Sequence, residues 1–315
     1  MIQDIYPSRL DNSYKNLRPE GNDYILIFNE EGKAYVGDDD GIMSFLSFSG
    51  LRSALGGKAE CDRGAEAGAA PGYESGAKAG AFLDDSSFIY LFSVDERRYF
   101  LLYDHDFSDK DIFNKDDFSG FSWYTIREVR DRLSGSSDAD IFVVFTAYHL
   151  WKWYADNKCC GKCGAKLIHS ELERALTCPD CKNVIYPRIN PAVIVGVTKD
   201  DQLLLTRYRR GYSHNALVAG FTEIGETLEE TVAREVMEET GVKVKNIRYY
   251  KSQPWGMAQD ILVGFYCDAD GEGKIRMDEN ELKYAEWVSR ADIELQPNNL
   301  SLTNEMMRMF KEGMV

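Results

Sequence analysis

The chain has 315 residues, which is enough for two or more domains with hydrophobic cores of their own. Its 52 acidic and 37 basic residues give a formal net charge of −15, which argues against a broad basic surface for nucleic acid or an anionic membrane. That charge does not exclude a local site that takes a nucleotide on metal ions.

The sequence favours a cytoplasmic protein that makes no contact with a membrane. No apolar run approaches the roughly 20 residues of a membrane span. Residues 1–17 lack the apolar segment of a secretory signal peptide. Seven cysteines, four of them in a metal-binding pattern, do not make the disulfide framework of a secreted domain.

Residues 1–155 are predicted to form an N-terminal domain built mostly of strands. Segments rich in β-branched and aromatic residues carry this prediction: 24–28, 33–36, 88–93 and 99–103. Residues 95–98 predict a hairpin turn between the last two segments. A helical stretch over 139–156 ends the domain. Residues 56–80 are rich in glycine and alanine without apolar periodicity, so we interpret them as a flexible insertion, with a functional loop as the alternative.

The segment 156–185 has the cysteine spacing of a zinc ribbon. Two C-x₂-C pairs are separated by 14 residues: Cys160, Cys163, Cys178 and Cys181. Four thiolates at this spacing predict one tetrahedral Zn²⁺ per chain in a closed structural site. Disulfides, a redox pair or buried thiols are the alternatives.

The other cysteines receive no role in this pattern. Cys159 competes with Cys160 as a ligand, but the x₂ spacing favours Cys160. Cys61 and Cys267 have no partner in the sequence.

Residues 186–315 are predicted to form a third domain of strands and helices. Its expected strands are 192–198 and 202–206, joined as a hairpin, then 242–250, 261–266 and 283–288. A final helix is expected over 301–311.

The most informative stretch of the chain is residues 220–242, inside this third domain. Its marked positions stand at fixed spacing: Gly220, Glu226, Arg234, Glu235, Glu238, Glu239 and Gly241. Thr227 to Glu230 is a capping box, so a helix should begin at Thr227. Gly241 can take the left-handed conformation that ends a helix.

The acids of this predicted helix point to a cation. At about 100° per residue, apolar side chains fill roughly half of the helix surface: Leu228, Val232, Ala233, Val236 and Met237. Glu239 falls inside that apolar arc, Glu235 on its border, and Glu238 beside Glu235. Buried carboxylates are costly unless a cation or hydrogen bonds compensate them, and Mg²⁺ prefers such oxygen ligands. A solvated acidic helix with pairs such as Glu230–Arg234 is the alternative, but it does not explain Glu239.

Every defining position of the Nudix box is filled in 220–242, so the stretch resembles the active site of a Nudix hydrolase. That family uses the box to hold Mg²⁺ or Mn²⁺ and to hydrolyse a diphosphate linked to a nucleoside. Further motifs make the segment from about Trp151 onward similar to the zinc-ribbon NADH pyrophosphatase branch, also known to remove NAD caps from RNA. These motifs are the cysteine pairs, Tyr186–Pro191, Leu217–Phe221 and Ser252–Trp255.

This resemblance implies an α+β multidomain fold: a Nudix α/β/α sandwich preceded by a zinc ribbon and a mostly β N-terminal domain. Glu235, Glu239, Glu281 and the Ala219 carbonyl would bind the divalent metal, with Glu238 as a further ligand or the base. As defining positions of the box, Glu226 and Arg234 join the expected catalytic residues.

The resemblance also implies how the substrate binds. Phe221 would stack on the nicotinamide or adenine ring. The expected lining of the dinucleotide pocket is Gln253, Pro254, Trp255, Gly256 and Met257. Tyr186 would reach the substrate across a homodimer, and Glu173 would contact it from the ribbon.

The expected reaction is metal-assisted hydrolysis of NAD(H) to nicotinamide mononucleotide and AMP. The chain departs from the branch in one loop, where the family's Pro-Phe-Pro is replaced by Gly256-Met257-Ala258. One alternative is therefore a Nudix pyrophosphatase for ADP-ribose or a dinucleoside polyphosphate. Another is an inactive Nudix-like protein whose zinc ribbon binds RNA or protein.

Overall fold

The structure is a computed structural model, and it describes residues 1–54, 87–103, 118–210 and 214–315. The predicted insertion at 56–80 lies outside the described residues. Two compact units are present: an N-terminal unit, Pro7–Pro187, and a C-terminal unit, Arg188–Val315 together with Met1–Tyr6. The division into three domains at residues 155 and 185 stays a prediction. Within the described ranges, no helix combines the length and apolar character needed to traverse a bilayer.

The N-terminal unit contains eleven strands and three helices among its described residues. The strands are β1 (Leu10–Asp11), β2 (Tyr24–Leu26), β3 (Ala34–Asp39), β4 (Ile42–Ser44), β5 (Leu46–Ser47), β6 (Phe88–Val94), β7 (Arg97–Leu102), β8 (Phe121–Tyr124), β9 (Ile168–His169), β10 (Leu176–Thr177) and β11 (Val184–Ile185). The helices are α1 (Phe48–Ala54), α2 (Ile126–Arg132) and α3 (Asp138–Asp156).

These strands form three sheets, and the predicted hairpin at 95–98 is one of their connections. The sheet orders are β1-β6-β7-β2-β5, β4-β3-β8 and β11-β10-β9. Strands β6 and β7 pair antiparallel across a turn at Asp95 and Glu96. Aromatic residues such as Phe48, Phe88 and Phe100 fill the core beneath them, which explains why these strands are rich in aromatic residues.

The C-terminal unit has one six-stranded sheet and two α-helices among its described residues. The strands are β12 (Asn190–Lys199), β13 (Gln202–Tyr208), β14 (Val218–Phe221), β15 (Val244–Trp255), β16 (Asp260–Ala269) and β17 (Leu282–Ser289). The helices are α4 (Leu228–Thr240) and α5 (Leu302–Lys311), and a short 3₁₀ turn spans Arg290–Asp292.

The central strand β12 divides this unit into two cores. Val193, Val195 and Val197 pack in one core with Val232 and Val236 of α4. On the opposite face, Ile194 of β12 packs with Met306 and Phe310 of α5. Since successive side chains of a strand point to opposite faces, β12 carries a helix on each side. The predicted α/β/α sandwich is therefore confirmed.

The predicted strands are found with different ends, and one further strand is present. Strand β15 runs from Val244 to Trp255 instead of 242–250, so the Ser252–Trp255 motif is part of a strand that pairs with β16. Strand β14 was not predicted, because four residues are too short for a period-two pattern to be distinctive.

Candidate active site and metal centre

Helix α4 begins and ends where the sequence predicts. The Thr227 hydroxyl accepts a hydrogen bond from the N–H of Glu230, and the Glu230 carboxylate accepts one from the N–H of Thr227 at 2.8 Å. Gly241 ends the helix with φ of 68°. Glu230 is thus committed to the cap rather than to an ion pair with Arg234. The positions of these two ends determine which side chains of the helix, and therefore which acids, face the sheet.

Arg234 connects the acids of the box. Its guanidinium donates to both carboxylate oxygens of Glu226, at 2.6 and 2.8 Å. It also donates to Glu235 at 2.7 Å, to Glu238 at 3.0 Å and to the carbonyl of Phe221 at 3.0 Å. The pairing with Arg234 lowers the pKa of Glu226 to about 2. These two residues, expected to be catalytic, form a bidentate pair that holds the neighbouring acids in place.

Glu239 is a buried carboxylate in an unfavourable environment. Its side chain is 2% exposed, as its place in the predicted apolar arc implies. Burial, followed by the negative charges of Glu281 and Glu235, raises the pKa of Glu239 to about 8. The hydroxyl of Tyr208 donates to it at 3.3 Å, and the backbone N–H of Ala219 donates as well. Two neutral donors do not offset two like charges, so the arrangement favours a bound cation.

Gly220 leaves the space that Glu235 occupies. A Cβ atom at Gly220 would lie 1.9 Å from the carboxyl carbon of Glu235, which is far inside van der Waals contact. Burial raises the pKa of Glu235, and Arg234 opposes that rise. The glycine of the box therefore permits close approach of helix α4 to strand β14. One member of the predicted arc, Ala233, is exposed rather than packed against the sheet.

The segment before β17 brings Glu281 to this helix. The N–H of Arg276 donates to the carbonyl of Thr240 at 2.7 Å. The N–H of Asp278 donates to the carbonyl of Glu239 at 2.8 Å. This segment is thereby tied to the last turn of α4, and Glu281 follows it as an exposed residue whose charge acts on Glu239.

The substrate residues expected in the C-terminal unit lie both at the surface and inside it. Phe221 is 54% exposed at the end of β14, directly after Gly220, and its carbonyl accepts from the guanidinium of Arg234. The four residues 254–257 lie at the end of β15 and in the turn after it. Pro254 is exposed, Trp255 and Met257 are half-buried, and Gly256 is buried. Gly256 lies in the turn that joins β15 to β16, where its carbonyl accepts from the N–H of Gln259 at 3.3 Å.

Gln253 is buried, and its amide has protein partners. Its Nε2 donates to the carbonyl of Leu300 at 2.7 Å, and its Oε1 accepts from the N–H of Leu302 at 2.7 Å. Gln253 therefore fastens β15 to the first residue of α5. A contact between Gln253 and substrate stays a prediction, and these hydrogen bonds indicate a structural role.

Tyr186, expected to act across a homodimer, and Glu173, expected to act from the ribbon, are neighbours in the N-terminal unit. The hydroxyl of Tyr186 donates to the carboxylate of Glu173 at 3.1 Å. Tyr186 is 57% exposed, so both side chains are available at the surface.

The four predicted cysteines of the ribbon form one cluster. Their sulfur atoms all lie within 4.8 Å of one another, with 3.6 Å from Cys160 to Cys181 and 3.3 Å from Cys163 to Cys178. This group can hold a metal ion, and the exposed Cys159 is outside it. Among the described residues, no set of acids meets the same distance criterion.

In each half of the cluster the turn stabilises the thiolate of one cysteine, whereas the neighbouring thiols of Cys178 and Cys181 raise the pKa of Cys163. The backbone N–H groups of Lys162 and Cys163 lower the pKa of Cys160 to about 6. The N–H of Cys181 lowers the pKa of Cys178 in the same way. Hydrogen bonding to the charged form favours thiolate, which is the form that binds a metal.

Tyr208 is a residue of the acidic site that the sequence did not indicate. Strand β13 extends two residues beyond the predicted 202–206 and ends at Tyr208. The available signal was an aromatic residue with a polar group two positions past a predicted strand, which is too common to single out.

Part of the chain is similar to known proteins. Residues 188–310 match the NUDIX domain family, and this range contains the box that the sequence predicts. Over 151 residues the chain is 44% identical to the NAD-capped RNA hydrolase NudC of Escherichia coli O1:K1 and 45% identical to that of Shigella flexneri. These alignments cover 47% of this chain and 58% of each relative, so the chain spans little more than half of their length.

A solved structure of a NUDIX hydrolase from Nitrosomonas europaea is also similar. It superposes with a TM-score of 0.43 and 22% identity, over 49% of this chain and 91% of that chain. The sequence matches confirm the resemblance to the NADH pyrophosphatase branch over the aligned segment.

Proposed function

We propose that the chain is a metal-dependent hydrolase of the central diphosphate of NAD(H), producing nicotinamide mononucleotide and AMP. The observation that carries the proposal is the buried Glu239, whose pKa is raised to about 8 by burial and by the charges of Glu281 and Glu235. A cation would relieve this repulsion. The named activity of the NudC relatives, NAD-capped RNA hydrolysis, directs the proposal to NAD and to the NAD-capped 5′ end of RNA.

Hard oxygen donors make the acidic site suitable for Mg²⁺ or Mn²⁺. The proposed ligands are Glu235, Glu239, Glu281 and the carbonyl of Ala219. A bound ion supplies charge neutralisation at the diphosphate and a lowered pKa for a water molecule. The site also requires an aromatic contact for the substrate, and the exposed ring of Phe221, two residues after the Ala219 carbonyl, is the proposed stacking surface.

Glu238 is our candidate for the base that accepts the proton of the attacking water. Its side chain is 61% exposed, whereas Glu239 is buried, so water reaches Glu238. Arg234 donates to its Oε2 at 3.0 Å, which keeps the carboxylate oriented beside the other acids. No covalent intermediate is required.

We further propose that the four-cysteine cluster holds one structural Zn²⁺ per chain. A tetrahedral site with Zn–S bonds of about 2.3 Å brings sulfur atoms to nearly 4 Å from one another, which agrees with the observed separations. We also propose a homodimer, which the sequence resemblance implies, and a cytoplasmic location, which the cysteine usage favours.

A substrate panel tests the reaction. The purified chain is assayed with NAD⁺, NADH, ADP-ribose and a dinucleoside polyphosphate, with Mg²⁺ or Mn²⁺, and products are separated as mononucleotides. We expect nicotinamide mononucleotide and AMP from NAD(H), and no reaction with chelator present. A parallel assay compares RNA bearing a 5′ NAD cap with the same RNA bearing a 5′ triphosphate.

One observation favours a second candidate, an ADP-ribose pyrophosphatase. The turn Gly256–Ala258 replaces the rigid Pro-Phe-Pro of the resembled branch, and it lies next to Trp255. A preference for ADP-ribose of about tenfold in kcat/KM, or roughly 1.4 kcal/mol, would replace the NAD(H) proposal with this one.

A further inference from the structure

We propose that Tyr208 is a positioning residue of the acidic metal site, and that its hydroxyl holds the carboxylate of Glu239 in the orientation that binds the ion. This inference rests on the proposed metal-dependent function. It concerns a residue outside the box and outside the motifs that the sequence indicated.

The hydroxyl of Tyr208 lies within reach of both oxygens of Glu239. The distances are 3.3 Å to Oε1 and 3.5 Å to Oε2, so the single proton is shared along the carboxylate edge. Glu239 is 2% exposed, which leaves protein groups rather than solvent to set its rotation. The backbone N–H of Ala219 also lowers the pKa of Glu239, after burial and the like charges that raise it. Tyr208 is therefore the side chain whose hydroxyl orients this carboxylate.

A local irregularity of the sheet sets the position of Tyr208. Arg207 pairs with Tyr284, but Tyr208 pairs with Leu282, so one residue of β17 is skipped at this point. Such bulges redirect side chains at the end of a ladder. Glu281 directly precedes the residue paired with Tyr208. The same irregularity therefore fixes the hydroxyl and a proposed metal ligand relative to each other.

A neutral donor suits this position better than a cation. A lysine or arginine would orient Glu239 but would also neutralise the charge that attracts the metal ion. A phenol orients the carboxylate and leaves its charge intact. By contrast, the buried Tyr266 donates to a backbone carbonyl, that of Met306, at 2.7 Å, which is a bond that serves packing alone.

Mn²⁺ affinity, measured without substrate, tests the proposal. The intact chain, Tyr208→Phe and Tyr266→Phe are titrated with Mn²⁺ by electron paramagnetic resonance or calorimetry. Loss of a partner that orients a metal ligand costs about 10–100-fold in affinity, so we expect the Mn²⁺ Kd of Tyr208→Phe to rise within that range. Tyr266→Phe, the matched control, should lower thermal stability and leave the Mn²⁺ Kd unchanged.

Activity and a double variant complete the test. Tyr208→Phe should lose turnover of NAD⁺ at low Mn²⁺ and regain most of it at high Mn²⁺, with little change in the KM for NAD⁺. In a Glu239→Gln background, the substitution at Tyr208 should add little to the loss of affinity, because the two act as one unit.

Three results would overturn the positioning role: a Kd for Tyr208→Phe within twofold of the intact chain, equal weakening by Tyr266→Phe, or full additivity with Glu239→Gln. Failure of the proposed function is a separate result. If the intact chain binds Mn²⁺ and Tyr208→Phe weakens that binding while NAD(H) is not cleaved, the positioning role stands and the substrate proposal falls.

Discussion

The cysteine cluster and the acidic cluster are assembled in different ways. In the ribbon, two short turns each contribute two ligands, and the four sulfur atoms already lie within 4.8 Å of one another. In the acidic site, the proposed ligands come from strand β14, helix α4 and the segment before β17, and they are not gathered to that distance. A site built from adjacent residues is closed before an ion binds, whereas a site built from distant segments leaves room for water and substrate.

The electrostatics of the two clusters also differ. Backbone N–H groups lower the pKa of Cys160 to about 6 and lower that of Cys178, whereas the neighbouring thiols raise the pKa of Cys163, so the ribbon backbone stabilises part of the ligand charge. Burial and like charges raise the pKa of Glu239 to about 8, so the acidic site disfavours the charged form of this proposed ligand. The ribbon is thus prepared to retain an ion for structure. The acidic site gains most from an ion, which is the behaviour expected where metal and substrate bind together.

The largest expected effect is the removal of zinc. In small zinc domains the binding energy of about 10–16 kcal/mol is coupled to folding. We expect one zinc per chain by elemental analysis. Cys178→Ser should lose it, together with the folded ribbon, as seen by proteolysis and thermal unfolding.

Cys159→Ser is the matched control for this test, because Cys159 is exposed and outside the cluster. It should keep its zinc and its stability. Carefully purified protein with less than about half a zinc per chain would contradict the closed four-thiolate site.

Next in size is the loss of the buried charge in the acidic site. Glu239→Gln keeps the shape of the side chain but removes a ligand charge, so kcat for NAD⁺ should fall by about 10²-fold or more while the fold survives. The control is Glu229→Gln, an exposed acid on the same helix, which should retain activity. Turnover near that of the intact chain in a folded Glu239→Gln protein would remove Glu239 from the site.

A smaller effect should follow from filling the space at Gly220. A methyl group there meets the carboxylate of Glu235, so Gly220→Ala should displace that ligand and lower kcat by about 10–100-fold. In the ribbon, a Cβ at Gly161 meets nothing within 4 Å, and Gly161→Ala should leave zinc content and activity unchanged. If Gly220→Ala is as active as Gly161→Ala, catalysis does not depend on the present position of the Glu235 carboxylate.

Features encoded by neighbouring residues could be predicted from the sequence. The cap at Thr227, the helix end at Gly241 and the C-x₂-C turn that contains Cys160 and Cys163 depend on spacings of a few residues. The burial of Gln253 depends on Leu302, which is 49 residues away. The approach of Tyr208 to Glu239 depends on which residues of β13 and β17 pair. No local pattern specifies such a register, so these features required the structure.

A second buried carboxylate, which is not a proposed metal ligand, shows the effect of burial on a pKa without the effect of like charges. Asp260 is 5% exposed at the start of β16, and its Oδ1 accepts no hydrogen bond from the described residues. Burial raises its pKa from 3.8 to about 6, and the side chain of Asn190 opposes that rise. Unlike Glu239, Asp260 has no acidic neighbour among the causes of its shift.

The smallest predicted effect is therefore a change in the pH dependence of stability. The folded chain holds the Asp260 proton more tightly than the unfolded chain, so this contribution is complete below about pH 4 and is lost as the pH rises through 6. A shift of about two units corresponds to roughly 3 kcal/mol, and we expect Asp260→Asn to raise the free energy of unfolding at pH 7 by about 1–3 kcal/mol. Denaturant unfolding of both proteins between pH 4 and 7 measures this difference, which should vanish near pH 4. A difference that stays constant over that range would mean that burial alone does not perturb a carboxylate in this fold, and that the raised pKa of Glu239 comes from its acidic neighbours.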